Sequence, residues 1–269
     1  MLARLILSAA LLGLSATATA GAETEAPCGH LRSAFYEYGA LYYKTADGHW
    51  TGIDKDVVDE VARRLGCIID ASTDSRVRIW AGLNGGTIDL SVSALSTPER
   101  EKVGRLVPYL SERNYVLLSK EVSPHIRSME DFIADPGIRI GVIKSFRHGK
   151  AYDAWLERLR AKGRVYEAPD YEALLRLLKV GRVQAIMANI SGWYPLLKQQ
   201  QMAGSYRIMD WAPPKDVLIG GLILSRQHVD EALATRISHT IRAMREDGTL
   251  KRIFERHLDA ELAAKLLNF

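Results

Sequence analysis

Two rhythms of apolar and polar positions alternate along most of the chain. In DKDVVDEVARRLG (54–66), Val57, Val58, Val61, Ala62 and Leu65 recur at helical spacing, and Gly66 supplies a stop. LRSAFYEY (31–38) before it and the β-branched run CIIDAS (67–72) after it predict strands. RIWAGLNGG (78–86) predicts a short helix closed by Gly85 and Gly86, TIDLSVSAL (87–95) a strand, and TPEREKV (97–103) a helix with Thr97 as N-cap and Pro98 at its first position. NYVLLSK (114–120) predicts a strand leaving this region. A second series follows: a short capped helix at SMEDFI, strands at IRIGVI (138–143), RVYEA, RVQAIMAN (182–189) and SYRIMD (205–210), and helices at 149–163, 170–181 and SGWYPLLKQQ. After the proline break WAPPK comes an apolar strand, VLIGGLILS (217–225), in which Gly220-Gly221 is a candidate interruption; the tail is helical.

Strands alternating with helices predict parallel sheets. Because the alternation runs twice, we expect two α/β lobes, 28–116 with 221–269 and 121–215, joined near 117–120 and 216–220 by two strands that cross between them. A cleft between lobes is a usual place for a small ligand.

Composition changes this picture little. The 269 residues, 47% apolar and 25% charged, are ordinary globular values, and the formal charge of +4 is spread along the chain without a basic arm, so no nucleic-acid partner is expected. Residues 1–20 do change it. MLAR, the apolar run LILSAALLGLSA and the small residues ATA before a cut after Ala20 form a secretory signal peptide, the run being too short for a membrane anchor; the mature chain is expected to be exported and soluble. No lipobox precedes Cys28. Cys28 and Cys67 are the two cysteines. An even count outside the cytoplasm, with one cysteine before the first strand and one opening the second, predicts a bridge at one sheet end; two free buried thiols are the alternative.

Taken in order, G-x-W-T-G-I-D-K-D, W-x-x-L-x-x-G-x-I-D-L, S-x-L-S-T-P-E-R, P-Y, IRIGVIKS, L-x-x-G-R-V and EDGTLKRIFERHL resemble the bacterial family 3 periplasmic solute-binding proteins, the polar-amino-acid binders of ABC importers, over nearly the whole mature chain. The resemblance implies a class II periplasmic-binding-protein-like α/β fold: two parallel-sheet lobes and two hinge strands around a ligand cleft. It also implies a periplasmic location, a small-molecule ligand (an amino acid or organic anion) delivered to an ABC permease in the inner membrane, a monomer, and no cofactor, metal or catalysis.

Carried over residue by residue, Arg100 falls where the family's arginine pairs with the ligand carboxylate, a planar fork meeting two oxygens. Read from its spacing alone, it is also a solvated helix charge beside Glu99 or Glu101. Ser93 falls at a ligand-lining hydroxyl position, and Leu95 stands where a Ser or Thr is usual. Tyr38 falls at an aromatic stacking position and Trp80 on a helix beside the cleft; either also reads as core. Ser145 and Phe146 replace the family's Gly-Thr, among Lys144, Arg147 and His148. Gln184 and Asn189 replace two aspartates, the second of which holds the ligand ammonium. The expectation is therefore an anionic or weakly zwitterionic ligand. Two alternatives share the scaffold: a dehydratase-like enzyme, with Glu37 or His148 as acid or base, and a sensory or accessory ligand-delivery protein.

Overall fold

The computed structural model describes residues 28–95, 97–144, 146 and 148–269. The signal peptide expected at 1–20, Ser145 and Arg147 lie outside the described residues.

The first series comprises β1 (Gly29–Phe35), β2 (Tyr43–Lys44), β3 (Trp50–Thr51), α1 (Ile53–Leu65), β4 (Cys67–Thr73), α2 (Arg76–Gly85), β5 (Leu90–Leu95), α3 (Pro98–Val103) and β6 (Gly104–Glu112). The second comprises β7 (Asn114–Ser119), α4 (Met129–Ala134), β8 (Ile140–Ile143), α5 (Lys150–Arg160), β9 (Val165–Ala168), α6 (Tyr171–Lys179), β10 (Ala185–Asn189), α7 (Ile190–Gln199), a 3-10 turn at Ala203–Ser205 and β11 (Tyr206–Met209). The chain then returns through β12 (Leu218–Ser225) and ends in α8 (Glu231–Glu246), α9 (Thr249–His257) and α10 (Ala260–Leu266).

Two five-stranded sheets result, ordered β4-β1-β5-β12-β6 and β11-β7-β10-β8-β9. β1 is parallel to β4 and β5, and β8 is parallel to β9 and β10. The returning strands run the other way: β12 is antiparallel to β5 and β6, and β7 is antiparallel to β10 and β11. Helix faces predicted as apolar pack on these sheets. Val57, Val58 and Val61 of α1 and Ile237, Ile241 and Met244 of α8 are buried in the first lobe, and Tyr152, Trp155 and Leu156 of α5 in the second.

Strand β6 breaks the sequence pattern with Gly104, Pro108 and Glu112, which is why 104–112 carries no clear strand signal, yet it pairs with β12 over its whole length. That pairing moves the crossings. Asn114–Ser119 lies wholly within the second sheet, so the first crossing is at Arg113 and not at 117–120, and the first segment of lobe 1 ends at Glu112 and not at 116. The second crossing spans 210–217, because β12 is already in the first sheet at Leu218; the expected 216–220 overlaps only its end. Arg113 laces the two crossings. Its Nε and Nη2 reach Asp210 at 3.1 and 2.8 Å, and its nitrogens donate to the carbonyls of Ala212, Pro213 and Pro214 at 2.9–3.1 Å. β12 runs on through Gly220-Gly221 with a shift of register, and a Cβ on Gly221 would collide with the Val107 carbonyl.

Cys28 and Cys67 form a disulfide, Cα atoms 4.9 Å apart, where Gly29 pairs with Cys67 at one end of the first sheet. Closing a 39-residue separation stabilises the chain by about 3–4 kcal/mol through the entropy of the unfolded state. Replacing both cysteines by serine should lower the denaturation free energy by that order, as read from the urea midpoint and slope; an unchanged midpoint would contradict it.

Candidate functional site

A cavity of about 320 Å³ lies between the lobes, lined by Tyr36, Tyr38, Arg76, Arg100, Glu112 and Asn189 among others. Its first-lobe wall is built by β5 and the turn into α3. The Thr97 hydroxyl caps α3 by accepting from the Arg100 amide at 3.3 Å, which sets the arginine on the first turn. The Arg100 guanidinium stacks 4.7 Å over the Trp80 ring, and its Nη1 donates to the Leu95 carbonyl at 3.1 Å. Among the described residues it has no carboxylate within ion-pair distance, so pairing with Glu99 is not what holds it. Partial burial, and then the positive charge of Arg76, pull its pKa below the usual guanidinium value.

Ser93 is committed elsewhere. Its hydroxyl donates to both oxygens of buried Asp54 at 2.8 Å, its amide donates to the Tyr109 hydroxyl at 3.1 Å, and its carbonyl accepts from Tyr36 at 3.1 Å. This network holds Ser93 at φ 46°, in the left-handed region that a serine seldom adopts.

Across the cavity, Phe146 and Tyr171 come from the second lobe and meet Tyr38, their ring centroids 6.4 and 6.1 Å from its own. Asn189 is the N-cap of α7. Its Oδ1 accepts from the Tyr171 hydroxyl at 3.0 Å and the Gly192 amide at 3.3 Å, while its Nδ2 donates to Tyr38 and to Glu112. Glu112 also accepts from the Ser191 hydroxyl, and the Ala40 amide donates to the Ser191 carbonyl at 2.8 Å. The lobes are therefore in direct contact across the cleft.

Of the residues selected from sequence, Arg100, Ser93, Leu95, Tyr38, Phe146 and Asn189 line this cavity, and Trp80 stands behind Arg100 in an adjoining recess. Others fall elsewhere. Gln184 sits at the opposite end of β10 from Asn189, tied to the Arg139 amide and the Gly181 carbonyl. Glu37 is exposed, and His148 is buried beside Asp153, where desolvation holds its pKa well below the usual range and keeps it neutral. Neither lines the cavity, so neither is its acid or base. Among the described residues the extra positive charge lining the cavity comes from Arg76, not from Lys144 or His148. Arg76 carries the same clue as Arg100, a cation at the start of a helix; Glu112, on the unrecognised strand β6, carries none.

Residues 34–260 match the family model for bacterial extracellular solute-binding proteins, family 3. The chain belongs to that family. It is 25% identical over 225 residues to a probable amino-acid ABC transporter-binding protein of Haemophilus influenzae, covering 80% of this chain and 79% of the relative. It is 23% identical over 237 residues to the L-cystine-binding protein TcyJ of Escherichia coli K12, covering 84% and 80%. Among solved structures, an ancestral cationic amino acid solute-binding protein superposes with a TM-score of 0.70 at 20% identity, covering 85% of this chain and 95% of that one.

This family 3 chain closes its cleft on two tight features. Gly39, at φ 51°, lies so near Ser191 that a Cβ would collide with the Ser191 carbonyl. Gly39→Ala should therefore hold the lobes apart, giving a larger radius of gyration by small-angle scattering at a backbone cost of about 1–2 kcal/mol; an unchanged radius would refute the contact.

The second feature is Glu112. Burial pushes its pKa up to about 7 against the opposing effects of the Ser191 hydrogen bond, Arg76 and the Asn189 hydrogen bond. In the unfolded chain it titrates near the ordinary glutamate value of about 4.3. Between these values the folded state holds the extra proton, so Glu112's contribution to stability declines as pH rises through this window and levels off above about 7. The melting temperature of Glu112→Gln relative to wild type should thus rise from pH 4 to pH 8; a constant difference would show that Glu112 is not desolvated.

Proposed function

We propose that the mature chain is an exported, monomeric periplasmic binding protein that captures a small carboxylate-bearing solute between its lobes and presents the closed form to an ABC permease in the inner membrane. The observation that carries this reading is Arg100, set on Trp80 and the Leu95 carbonyl, with the rest of its fork facing the cavity and no carboxylate of the described chain paired to it. A ligand carboxylate supplies the missing charge, and two parallel N–H···O bonds orient it. Ligand contacts to both lobes favour closure because only the closed state makes them all. The family's transport role and the amino-acid ligands named for its relatives support the assignment.

Glu112 favours a second reading, a dehydratase-like enzyme on the same scaffold, because a buried carboxyl raised to about 7 in the ligand cavity is poised for proton transfer. A sensory or accessory role would use the same cleft, and a permease gene beside this one would favour import.

Native mass spectrometry of the purified chain identifies the retained solute, and calorimetry then measures it. Arg100→Ala should weaken a carboxylate ligand by about tenfold or more. Unchanged affinity would remove Arg100 from the site, and conversion of the solute on incubation would turn the assignment to the enzyme.

A further inference from the structure

Resting on the proposed capture of a carboxylate at Arg100, we infer that the solute carries a second acidic group, held by Arg76: the ligand is a short dianion, a dicarboxylate or an acidic amino acid. Arg76 opens α2, just after the Ser75 cap, and its guanidinium turns onto the aromatic lining of the cavity. Its Cζ lies 4.7 Å over the Tyr36 ring and 5.9 Å from the rings of both Tyr38 and Phe146. These three rings, from both lobes, fix the plane of the guanidinium without using any of its five N–H donors. Among the described residues Arg76 makes no hydrogen bond and has no carboxylate within ion-pair distance.

Among the described residues the cavity therefore holds two guanidiniums, close enough for Arg76 to depress the pKa of Arg100. Among the described residues the carboxyl that lines it, Glu112, is already engaged by Asn189 and Ser191. A solute with a single carboxylate would satisfy Arg100 and leave the half-buried Arg76 without a partner for its donors, and a charge kept partly from water without a counter-charge is unfavourable. A second acidic group removes that cost and gains another forked pair. A cationic side chain would meet Arg76 as a like charge. The volume of about 320 Å³ is at the small end of the range for ligand sites, which suits a short carbon chain between the two acids. An α-ammonium is not required.

Matched pairs that differ in one acidic group test this. Calorimetry on the full mature chain would compare succinate with succinamate and L-glutamate with L-glutamine, with L-cystine and L-arginine as further probes. Wild type should prefer the diacid of at least one pair by about tenfold or more, and L-arginine should not bind. Arg76→Gln should abolish that preference, lowering diacid affinity to that of the monoacid partner, and Arg76→Lys, which keeps the charge but loses the fork, should fall between. Equal affinity for diacid and monoacid, both lost in Arg100→Ala, would overturn the role of Arg76 and leave the Arg100 site standing. Tight binding of L-arginine would overturn it as well. No carboxylate-dependent binding in any arm would overturn the carboxylate site itself, and this inference with it. Unfolding curves for each variant separate loss of the fold from loss of the site.

Discussion

A guanidinium that faces an enclosed cavity has to be held in place without a counter-charge of its own, and much of the inner wall answers to that constraint. Arg100 is supported from behind by the face of Trp80 and from the side by the Leu95 carbonyl. Neither partner neutralises it. Trp80 stands on α2 and Leu95 ends β5, so the strand, the turn and the helix must keep a fixed relation for the fork to point inward. Asp54 secures that relation. It is fully buried, it receives the Ser93 hydroxyl and the Tyr109 hydroxyl, and it thereby pins the centre of β5 to α1 and β6. Burial raises its pKa to about 7, a sign of how little water reaches this joint.

Closure rests on a different kind of contact. Beside the aromatic contact of Tyr38 with Phe146 and Tyr171, the lobes meet through backbone and polar groups: the Ala40 amide on the Ser191 carbonyl, Ser191 and Asn189 on Glu112, and Tyr38 on Asn189. The polar contacts are directional and modest in net energy. Arg113 ties the two crossings together by binding Asp210 and three carbonyls of the opposite one.

Local pattern carried far into this molecule. The helical spacing of α1, the Thr97–Pro98 start of α3, the β-branched edge strand with its cysteine, and the doubled α/β alternation all match the structure, because each depends on a few neighbouring residues. The placement of the crossings did not follow. β6 looks irregular in isolation and becomes a strand because β12 offers it a full ladder, which shifts the boundary from 117–120 back to Arg113.

The sequence by itself determined the two-lobed α/β architecture, the Cys28–Cys67 pair and a cation at Arg100 with the wrong sign for its helix end, since periodicity, cysteine count and dipole are local properties. Only the tertiary structure decided the charge balance of the cleft. Arg76 and Glu112 lie 36 positions apart and come from different elements, Asn189 spends its amide on tying the lobes together, and Gln184 and His148 turn out to serve the fold. Which charges share a desolvated space depends on how sheets and crossings bring distant residues together, and no local pattern records that.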